Sequence, residues 1–193
     1  AALRLVHIAR PDKNLYFTEQ MVTERPGNPE INISNPVKNL ILRTTQNWSR
    51  NVILWNLAAD PLNDPHTDNG GCSMCQGAIT INGDIVSRNI AFYTVAHASK
   101  FVRPGSVRIG STNRGDKTVG MYEDEQRPGV FRASLIENME ILPNVAFRTP
   151  EGKIVLIVVN DTFSANSFRI QWNGKFAGIR LNPGAVGTYV WQL

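Results

Sequence analysis

The pattern of apolar and polar positions divides the chain near Arg103-Pro104-Gly105. Before this point, short apolar runs alternate with segments in which apolar residues have helical spacing. After it, apolar residues mostly recur at every second position. A change of period from about 3.6 to about 2 indicates a change from α/β to β structure. The sequence therefore predicts two domains, with residues 1–103 in the first and residues 104–193 in the second.

The first domain opens with a predicted strand–helix unit. Asn14-Leu15-Tyr16-Phe17-Thr18 is a short aromatic run typical of a buried strand, and it ends at Glu19. A loop-like stretch follows, up to Asn35. Ser34-Asn35-Pro36 has the composition of a helix start, with a capping residue before a proline in the first turn. Apolar residues at helical spacing then predict a helix that ends near Arg50.

A second strand–helix unit follows. Residues 52–57 are almost continuously apolar, as in strands of parallel sheets that are covered on both faces. A long loop from Asp60 to Gly77 leads to a hairpin with Asn82-Gly83 at its turn, and residues 88–101 have helical spacing. Alternating strands and helices are typical of a parallel α/β sheet or barrel. Two units are too few to close a barrel of eight, so the α/β part is predicted to be incomplete.

The second domain reads as short strands separated by turn residues. The predicted strands are 107–109, 118–122, 131–141, 154–159, 167–172, 177–181 and 188–191. Turn signals stand at Pro150-Glu151-Gly152, Asn173-Gly174 and Asn182-Pro183-Gly184. Such spacing predicts an antiparallel β-sandwich of about 90 residues.

Composition excludes several classes of protein. Of the 193 residues, 42% are hydrophobic and 19% are charged, as in a globular chain. The net charge is +4, but the basic residues are scattered, which argues against nucleic-acid binding. No apolar run of about 18 residues predicts a membrane span. The chain begins Ala1-Ala2-Leu3, without an initiator Met or a secretory signal, and is interpreted as a truncated or proteolysed product.

Cys72 and Cys75 have the C-x-x-C spacing of redox pairs, half zinc sites and local disulfides. A structural zinc site needs about four ligands. The three histidines, His7, His66 and His97, do not supply a second pair. The motif stands in a glycine-rich loop rather than at a helix start. A structural loop or a local disulfide is therefore favoured over a metal or redox site.

Three residues at predicted strand ends have side chains suited to sugar chemistry: Glu19, Trp55 and Asn56. In parallel barrels the active site lies at the carboxyl ends of the strands. There a carboxylate can serve as nucleophile, acid or base, an indole covers the apolar face of a sugar, and an amide bonds its hydroxyls. Position alone also allows a solvated Glu19 and a Trp55 in the core. His97, on a helix, is expected to be packed or capped.

The order of three motifs resembles glycoside hydrolase family 30, the family of glucosylceramidase. Residues 15–19 resemble the family's nucleophile strand, and Trp55-Asn56-Leu57-Ala58 resembles the segment on its last barrel strand. Residues 92–110, with the run from His97 to Gly105, resemble the helix and exit strand that lead into its C-terminal β-domain. The glycine-rich loop around Cys72 and Cys75 resembles a bacterial branch of the family.

The resemblance implies the last two strand–helix units of a TIM (β/α)₈ barrel, followed by a β-sandwich. It also implies a retaining hydrolase that needs no metal or cofactor, with Glu19 as nucleophile and Trp55 and Asn56 as substrate-binding residues. The family carries its acid/base residue in an Asn-Glu pair on an earlier strand, and this chain has no Asn-Glu dipeptide. Gln20-Met21 stands where glucosylceramidase has Ala-Cys, which puts an equivalent substrate in doubt.

The predicted activity is hydrolysis of β-linked glucosides of the glucosylceramidase or β-glucosidase type, in carbohydrate or sphingolipid metabolism. Within the family, a β-1,6-glucanase or a xylanase is the alternative. Outside enzymes, the alternative is a carbohydrate-binding module whose exposed aromatics would include Trp172 and Trp191. The expected location is extracellular or periplasmic. The expected partners are a carbohydrate, the missing N-terminal part of the enzyme, and other chains at exposed barrel-strand edges.

The isolated chain is expected to have no measurable glycosidase activity. Without an acid/base residue, a nucleophile has no assistance for the leaving group. Assays of the purified 193-residue chain with an aryl β-glucoside check this expectation, and robust turnover would contradict it.

Overall fold

The computed structural model describes residues 2–23, 29–112, 114–123 and 131–192. The helical elements are α1 (Ala2–Ala9), α2 (Pro29–Pro36), a π-helical segment (Val37–Leu42), α3 (Arg43–Gln46) and α4 (Ile90–Ser99). The strands before α4 are β1 (Leu15–Phe17), β2 (Val22–Thr23), β3 (Ser49–Val52), β4 (Ala58–Ala59), β5 (Cys75–Gln76), β6 (Ile79–Asn82) and β7 (Ile85–Arg88). Those after it are β8 (Val107–Ile109), β9 (Arg114–Glu123), β10 (Phe131–Ile141), β11 (Asn144–Arg148), β12 (Lys153–Val159), β13 (Asn166–Trp172), β14 (Lys175–Leu181) and β15 (Val186–Gln192).

Two strand pairs in the described part of the N-terminal half are parallel. β1 lies parallel to β3, with Leu15 opposite Ser49 and Phe17 opposite Val52. β4 lies parallel to β6. Parallel neighbours need a crossover connection, and helices α2 and α3 with the π-helical segment supply it between β1 and β3. This arrangement agrees with two strand–helix units, whereas closure into a barrel stays a prediction.

The first helix begins earlier than the sequence predicts. α2 starts at Pro29, so the interpretation of the stretch up to Asn35 as a loop is wrong for its last seven residues. Pro36 lies inside the helix rather than in its first turn. Proline has no N–H for the helical ladder, and the wider π-helical turns begin directly after it, at Val37. The Ser34-Asn35-Pro36 signal therefore marks a change of helix type.

The second strand also differs from its predicted bounds of 52–57. β3 ends at Val52, because polar side chains before the apolar run complete the pairing with β1. The Phe17 N–H donates to Ser49 Oγ at 3.1 Å and to Asn51 Oδ1 at 2.9 Å. Within the predicted range, Ile53 and Leu57 are exposed in the described chain. The bounds of this strand are therefore set by hydrogen-bonding partners and not by the apolar run.

The C-terminal half contains a four-stranded antiparallel sheet in the order β15-β12-β11-β8. β13 with β14, and β9 with β10, form two antiparallel hairpins. The sequence did not predict β11 as a separate strand. Leu142, with φ +56°, and the following Pro143 interrupt the chain between β10 and β11. The predicted all-β organisation of this half is confirmed.

The main hydrophobic core lies between the helical segment and the four-stranded sheet. Its buried members from the helix side are Val37, Ile41 and Leu42. Those from the sheet are Val145, Phe147, Val155, Ile157 and Val159. The ion pair between Lys38 and Asp161 joins the same two parts at the rim of the core. The sheet is therefore packed directly on the element that follows the candidate nucleophile strand.

A smaller cluster supports the strand ends. Val22, Leu40 and Ala91 are buried in it, and Phe17 and Leu54 pack against it. It brings together residues from β1, β2, α4 and the segment after β3. The backbone on both sides of Glu19 thus rests on an apolar base. None of the helices in the described part of the chain is long and apolar enough to cross a bilayer.

His97 joins α4 to β15, as expected for a packed histidine. Its Nδ1 lies 2.9 Å from Thr188 Oγ1, and that hydroxyl lies 3.2 Å from the His97 carbonyl oxygen. Because the hydroxyl donates its single proton to the carbonyl, Nδ1 must carry the proton that Oγ1 accepts. Burial lowers the pKa of His97 below its ordinary value of 6.5.

His97 is expected to make the folded chain less stable below about pH 6.5. As the pH falls through this value, the unfolded imidazole takes up a proton and the folded one does not. The contribution of His97 to the free energy of unfolding is therefore fully present above about pH 6.5. It decreases as the pH falls, until the pH is below the lower pKa of the folded state. Urea unfolding at pH 7.5 and 5.5 should show a smaller difference for His97→Gln than for the parent. A difference for His97→Gln as large as that of the parent would contradict the prediction.

Candidate active site

Glu19 lies at the carboxyl end of β1, with an exposed side chain. Two backbone hydrogen bonds hold the chain around it against the segment that follows β3. The Ile53 N–H donates to the Phe17 carbonyl at 3.1 Å, and the Trp55 N–H donates to the Gln20 carbonyl at 2.7 Å. Glu19 therefore lies between two residues, Phe17 and Gln20, whose carbonyls are hydrogen-bonded to the segment after β3.

Trp55 is brought to the same strand end. It forms a parallel bridge with Met21, two residues after Glu19, and 47% of its surface is exposed. The peptide bond between Trp55 and Asn56 is cis. The structure thus places two of the predicted site residues on adjacent segments, and the indole is accessible to a ligand rather than packed in a core.

Asn56, the third predicted site residue, is half-buried beside Gly77. Its backbone carbonyl accepts a hydrogen bond from the Ala78 N–H at 2.9 Å. Its side-chain Oδ1 is buried without a hydrogen-bond partner among the described residues. A Cβ added to Gly77 would lie 2.8 Å from Asn56 Oδ1 and 2.7 Å from the Ala59 nitrogen. Glycine at position 77 therefore permits the close approach of the loop to Asn56.

The long loop after β4 returns across the same end of the strands. It ends in β5, which pairs antiparallel with β2, with Val22 opposite Gln76 and Thr23 opposite Cys75. Cys72 and Cys75 form a disulfide in this loop. The favoured alternative of a local disulfide is thereby confirmed over a zinc or dithiol site.

Asn89 is a structural residue of this region that the sequence did not reveal. It precedes α4 as the capping residue, but its side chain makes no capping bond. Its Nδ2 donates instead to the Gly77 carbonyl at 2.9 Å and to Thr80 Oγ1 at 2.8 Å. An Asn before a helix predicts a cap, so no sequence signal indicated that it fixes the end of the loop beside Asn56.

The aromatic pair on the β-sandwich has a different character. Trp172 and Trp191 contact each other edge to face, with ring centroids 6.2 Å apart, and both indole nitrogens are buried. Each ring is only partly accessible. Because the two half-buried rings lie at 62° to each other, they do not form a flat exposed platform for sugars.

The family model of the glycosyl hydrolase family 30 beta sandwich domain matches residues 105–189 of this chain. Endo-1,6-beta-D-glucanase BGN16.3 of Trichoderma harzianum is 30% identical over 176 residues, which is 88% of this chain and 31% of the relative. Endo-1,6-beta-D-glucanase neg1 of Aspergillus fumigatus is 42% identical over 67 residues, which is 35% of this chain and 14% of the relative. The chain thus spans less than a third of the length of these fungal relatives.

Two solved structures share the fold over almost the whole chain. The endo-beta1,6-glucanase BT3312 is similar with a TM-score of 0.75 and 26% identity, covering 99% of this chain and 38% of the other. SrfJ from Salmonella typhimurium is similar with a TM-score of 0.74 and 22% identity, again covering 99% and 38%. The chain belongs to glycoside hydrolase family 30, and residues 105–189 are that family's β-sandwich domain.

Proposed function

We propose that the complete protein is a retaining endo-β-1,6-glucanase that uses Glu19 as its nucleophile. The observation that carries the proposal is the match to the Trichoderma endo-1,6-beta-D-glucanase over 88% of the chain, which is too long to be confined to the sandwich domain. The likeness to endo-beta1,6-glucanase BT3312 over 99% of the chain supports the same choice.

This choice replaces glucosylceramide or a simple β-glucoside as the preferred substrate. The relatives favour the β-1,6-glucan alternative that the sequence left open, because the two fungal relatives and BT3312 are all named as endo-1,6-β-glucanases. Gln20-Met21, directly after Glu19, agrees with this preference, because it departs from the glucosylceramidase motif at the site itself.

The proposal includes a (β/α)₈ barrel, to which residues 1–103 contribute the last two strand–helix units, with residues 104–193 as the second domain. Its support is the parallel pairing of β1 with β3 and the bridge from Met21 to Trp55. These contacts put Glu19 and Trp55 at the carboxyl ends of adjacent parallel segments. Active sites of such barrels lie at that end.

In the proposed reaction, a Glu19 carboxylate oxygen attacks the anomeric carbon while an acid from the rest of the enzyme protonates the departing glycosidic oxygen. The resulting glycosyl ester is then cleaved by water, which the same second residue, now a base, deprotonates. Two inversions give net retention. The exposed Glu19 side chain is accessible for this attack.

Trp55 and Asn56 are proposed to hold the sugar during both steps. The exposed indole of Trp55 offers a flat apolar surface to the C–H face of a glucose ring. Asn56 Oδ1 has no donor among the residues that the structure describes, so a sugar hydroxyl that displaces the loop contact slightly would satisfy it. Both residues are proposed to bind substrate rather than to take part in proton transfer.

Incubation of the complete enzyme with a soluble β-1,6-glucan tests the proposed function. We expect a rapid fall in mean chain length, because internal cleavage shortens polymers before monosaccharide accumulates. Proton NMR of the earliest products should show the β-anomer. Xylan, an aryl β-glucoside and glucosylceramide serve as matched substrates at equal concentration. Faster cleavage of any of these than of β-1,6-glucan would contradict the proposed specificity, and initial α-anomer would contradict retention.

We also propose an extracellular or periplasmic location. A structural disulfide persists in oxidising compartments and is rare in the reducing cytosol of mesophiles. The Cys72–Cys75 disulfide supports this location. Alkylation of the protein in freshly lysed cells and in the medium or periplasm, followed by mass spectrometry, should find both cysteines unmodified outside the cytoplasm.

A further inference from the structure

The loop over the strand ends is braced by its own hydrogen bonds. At its start, Asp60 Oδ1 accepts the N–H groups of Leu62 at 2.7 Å and Asp64 at 2.9 Å. In the same turn, Asn63 Nδ2 donates to the Ser73 carbonyl at 3.0 Å. This last bond joins the first turn of the loop to the disulfide turn. The loop is therefore held together by its own hydrogen bonds. Its return strand, β5, directly follows the turn between Cys72 and Cys75.

The return strand reaches both segments that carry the proposed site. On one side, Cys75 and Gln76 pair with Thr23 and Val22, which are the fourth and third residues after Glu19. On the other, the chain continues through Gly77 into the hydrogen bond between the Ala78 N–H and the Asn56 carbonyl. Cys75 is only 2% exposed, so the disulfide is anchored where these contacts begin.

We infer that the Cys72–Cys75 disulfide is a positioning element of the active site, holding the segment after Glu19 and the Asn56 backbone in register with each other. This inference rests on the proposed glycosidase function and adds a role for the disulfide to it. Neither cysteine is expected to touch the reacting atoms. Both act through β5 and its pairing with β2.

The small size of the disulfide-closed loop supports a local role. Cross-links stabilise folded proteins mainly by restricting the unfolded chain, and short loops gain least from this. Here only 3 positions separate the two cysteines. The consequence of the bond therefore lies in the geometry of the loop. A displacement of about 1 Å at a site can reduce turnover about a hundredfold.

The test compares the oxidised complete enzyme with its phosphine-reduced form and with Cys72→Ser/Cys75→Ser. A trialkylphosphine supplies two electrons, both sulfurs become thiols, and the phosphine becomes its oxide with oxygen from water. Active-site titration with a 2-deoxy-2-fluoroglucoside counts the competent molecules. Per competent site, we expect kcat/KM for β-1,6-glucan to fall at least about tenfold after reduction and in the double variant. The label should form on Glu19 more slowly by a similar factor.

Controls separate positioning from stability. Ser73→Ala lies in the same turn, keeps the disulfide and its carbonyl, and should keep the parent's kcat/KM and its sensitivity to phosphine. Phosphine should not change the double variant further. A merely structural role would reduce the number of titratable sites and leave kcat/KM per site unchanged, which would overturn the inference. If the oxidised enzyme labels Glu19 but spares β-1,6-glucan, only the proposed substrate fails, and labelling rates still decide the inference. No labelling and no hydrolysis would overturn both.

Discussion

Glu19→Gln in the complete enzyme is expected to lower kcat for β-1,6-glucan at least about a thousandfold. The amide keeps the volume of the carboxylate but cannot form the glycosyl ester through which a retaining enzyme passes. Substrate binding should change little, because Trp55 and Asn56 remain in place. Steady-state kinetics and the binding of an oligosaccharide by calorimetry measure the two effects separately.

Two controls make the Glu19 prediction specific. Glu151→Gln changes an exposed acid in the turn before β12 and should leave kcat unchanged. Glu19→Ala with added azide should form an α-glycosyl azide, because one inversion replaces two when an external anion takes the nucleophile's place. A β-glycosyl azide would identify Glu19 as the acid/base residue instead. Activity of Glu19→Gln within tenfold of the parent would contradict a nucleophilic role.

The sequence predicted that Glu19 and Trp55 stand at neighbouring strand ends, but it did not predict the local structure around them. Glu19, Trp55 and Asn56 were selected because they stand at the ends of predicted strands, and the structure brings the first two together through the bridge at Met21. The bounds of the second strand were wrong, because Ser49 and Asn51 pair with β1 through their side chains. Apolar periodicity carries no information about such bonds.

Features made by distant parts of the chain were beyond prediction from local patterns. Pairing of β2 with β5 depends on the path of an 18-residue stretch, residues 60–77, whose turns are set by Asp60 and Asn63. The need for glycine at position 77 arises from the backbone of Ala59 and the side chain of Asn56. Both contacts join residues that are far apart in the sequence, so local sequence patterns do not indicate them.

The same distinction applies to the β-sandwich. Period-two patterning predicted most of its strands, and β13 shows the pattern directly, because its positions alternate between half-buried and exposed. It did not show that the four-stranded sheet would use its buried face against the helical segment rather than only against its own hairpins. That contact joins the β-domain to the part of the chain that follows Glu19, and its strength is open to direct measurement.

Leu42→Ala is expected to lower the free energy of unfolding of the chain by about 3 kcal/mol, within the usual range of about 2 to 5 kcal/mol for buried Leu-to-Ala changes. The Leu42 side chain is fully buried in the core between the helical segment and the sheet. Its removal loses apolar burial and leaves a cavity that Val155 and Ile157, both fully buried in strand β12, cannot readily fill. Urea unfolding followed by tryptophan fluorescence measures the change.

Leu62→Ala is the matched control, because it removes the same atoms from a side chain that is 72% exposed. It should alter the free energy of unfolding by less than about 0.5 kcal/mol. Equal effects of the two substitutions would show that Leu42 does not lie in a packed core. A lower free energy of unfolding for Leu42→Ala alone would confirm the core. If Trp48 in the first half and Trp191 in the last strand also report a single unfolding transition, the strand ends bearing Glu19 and the β-sandwich unfold as one cooperative unit. The sandwich would then help to support the active site, because the π-helical segment between β1 and β3 packs against the four-stranded sheet.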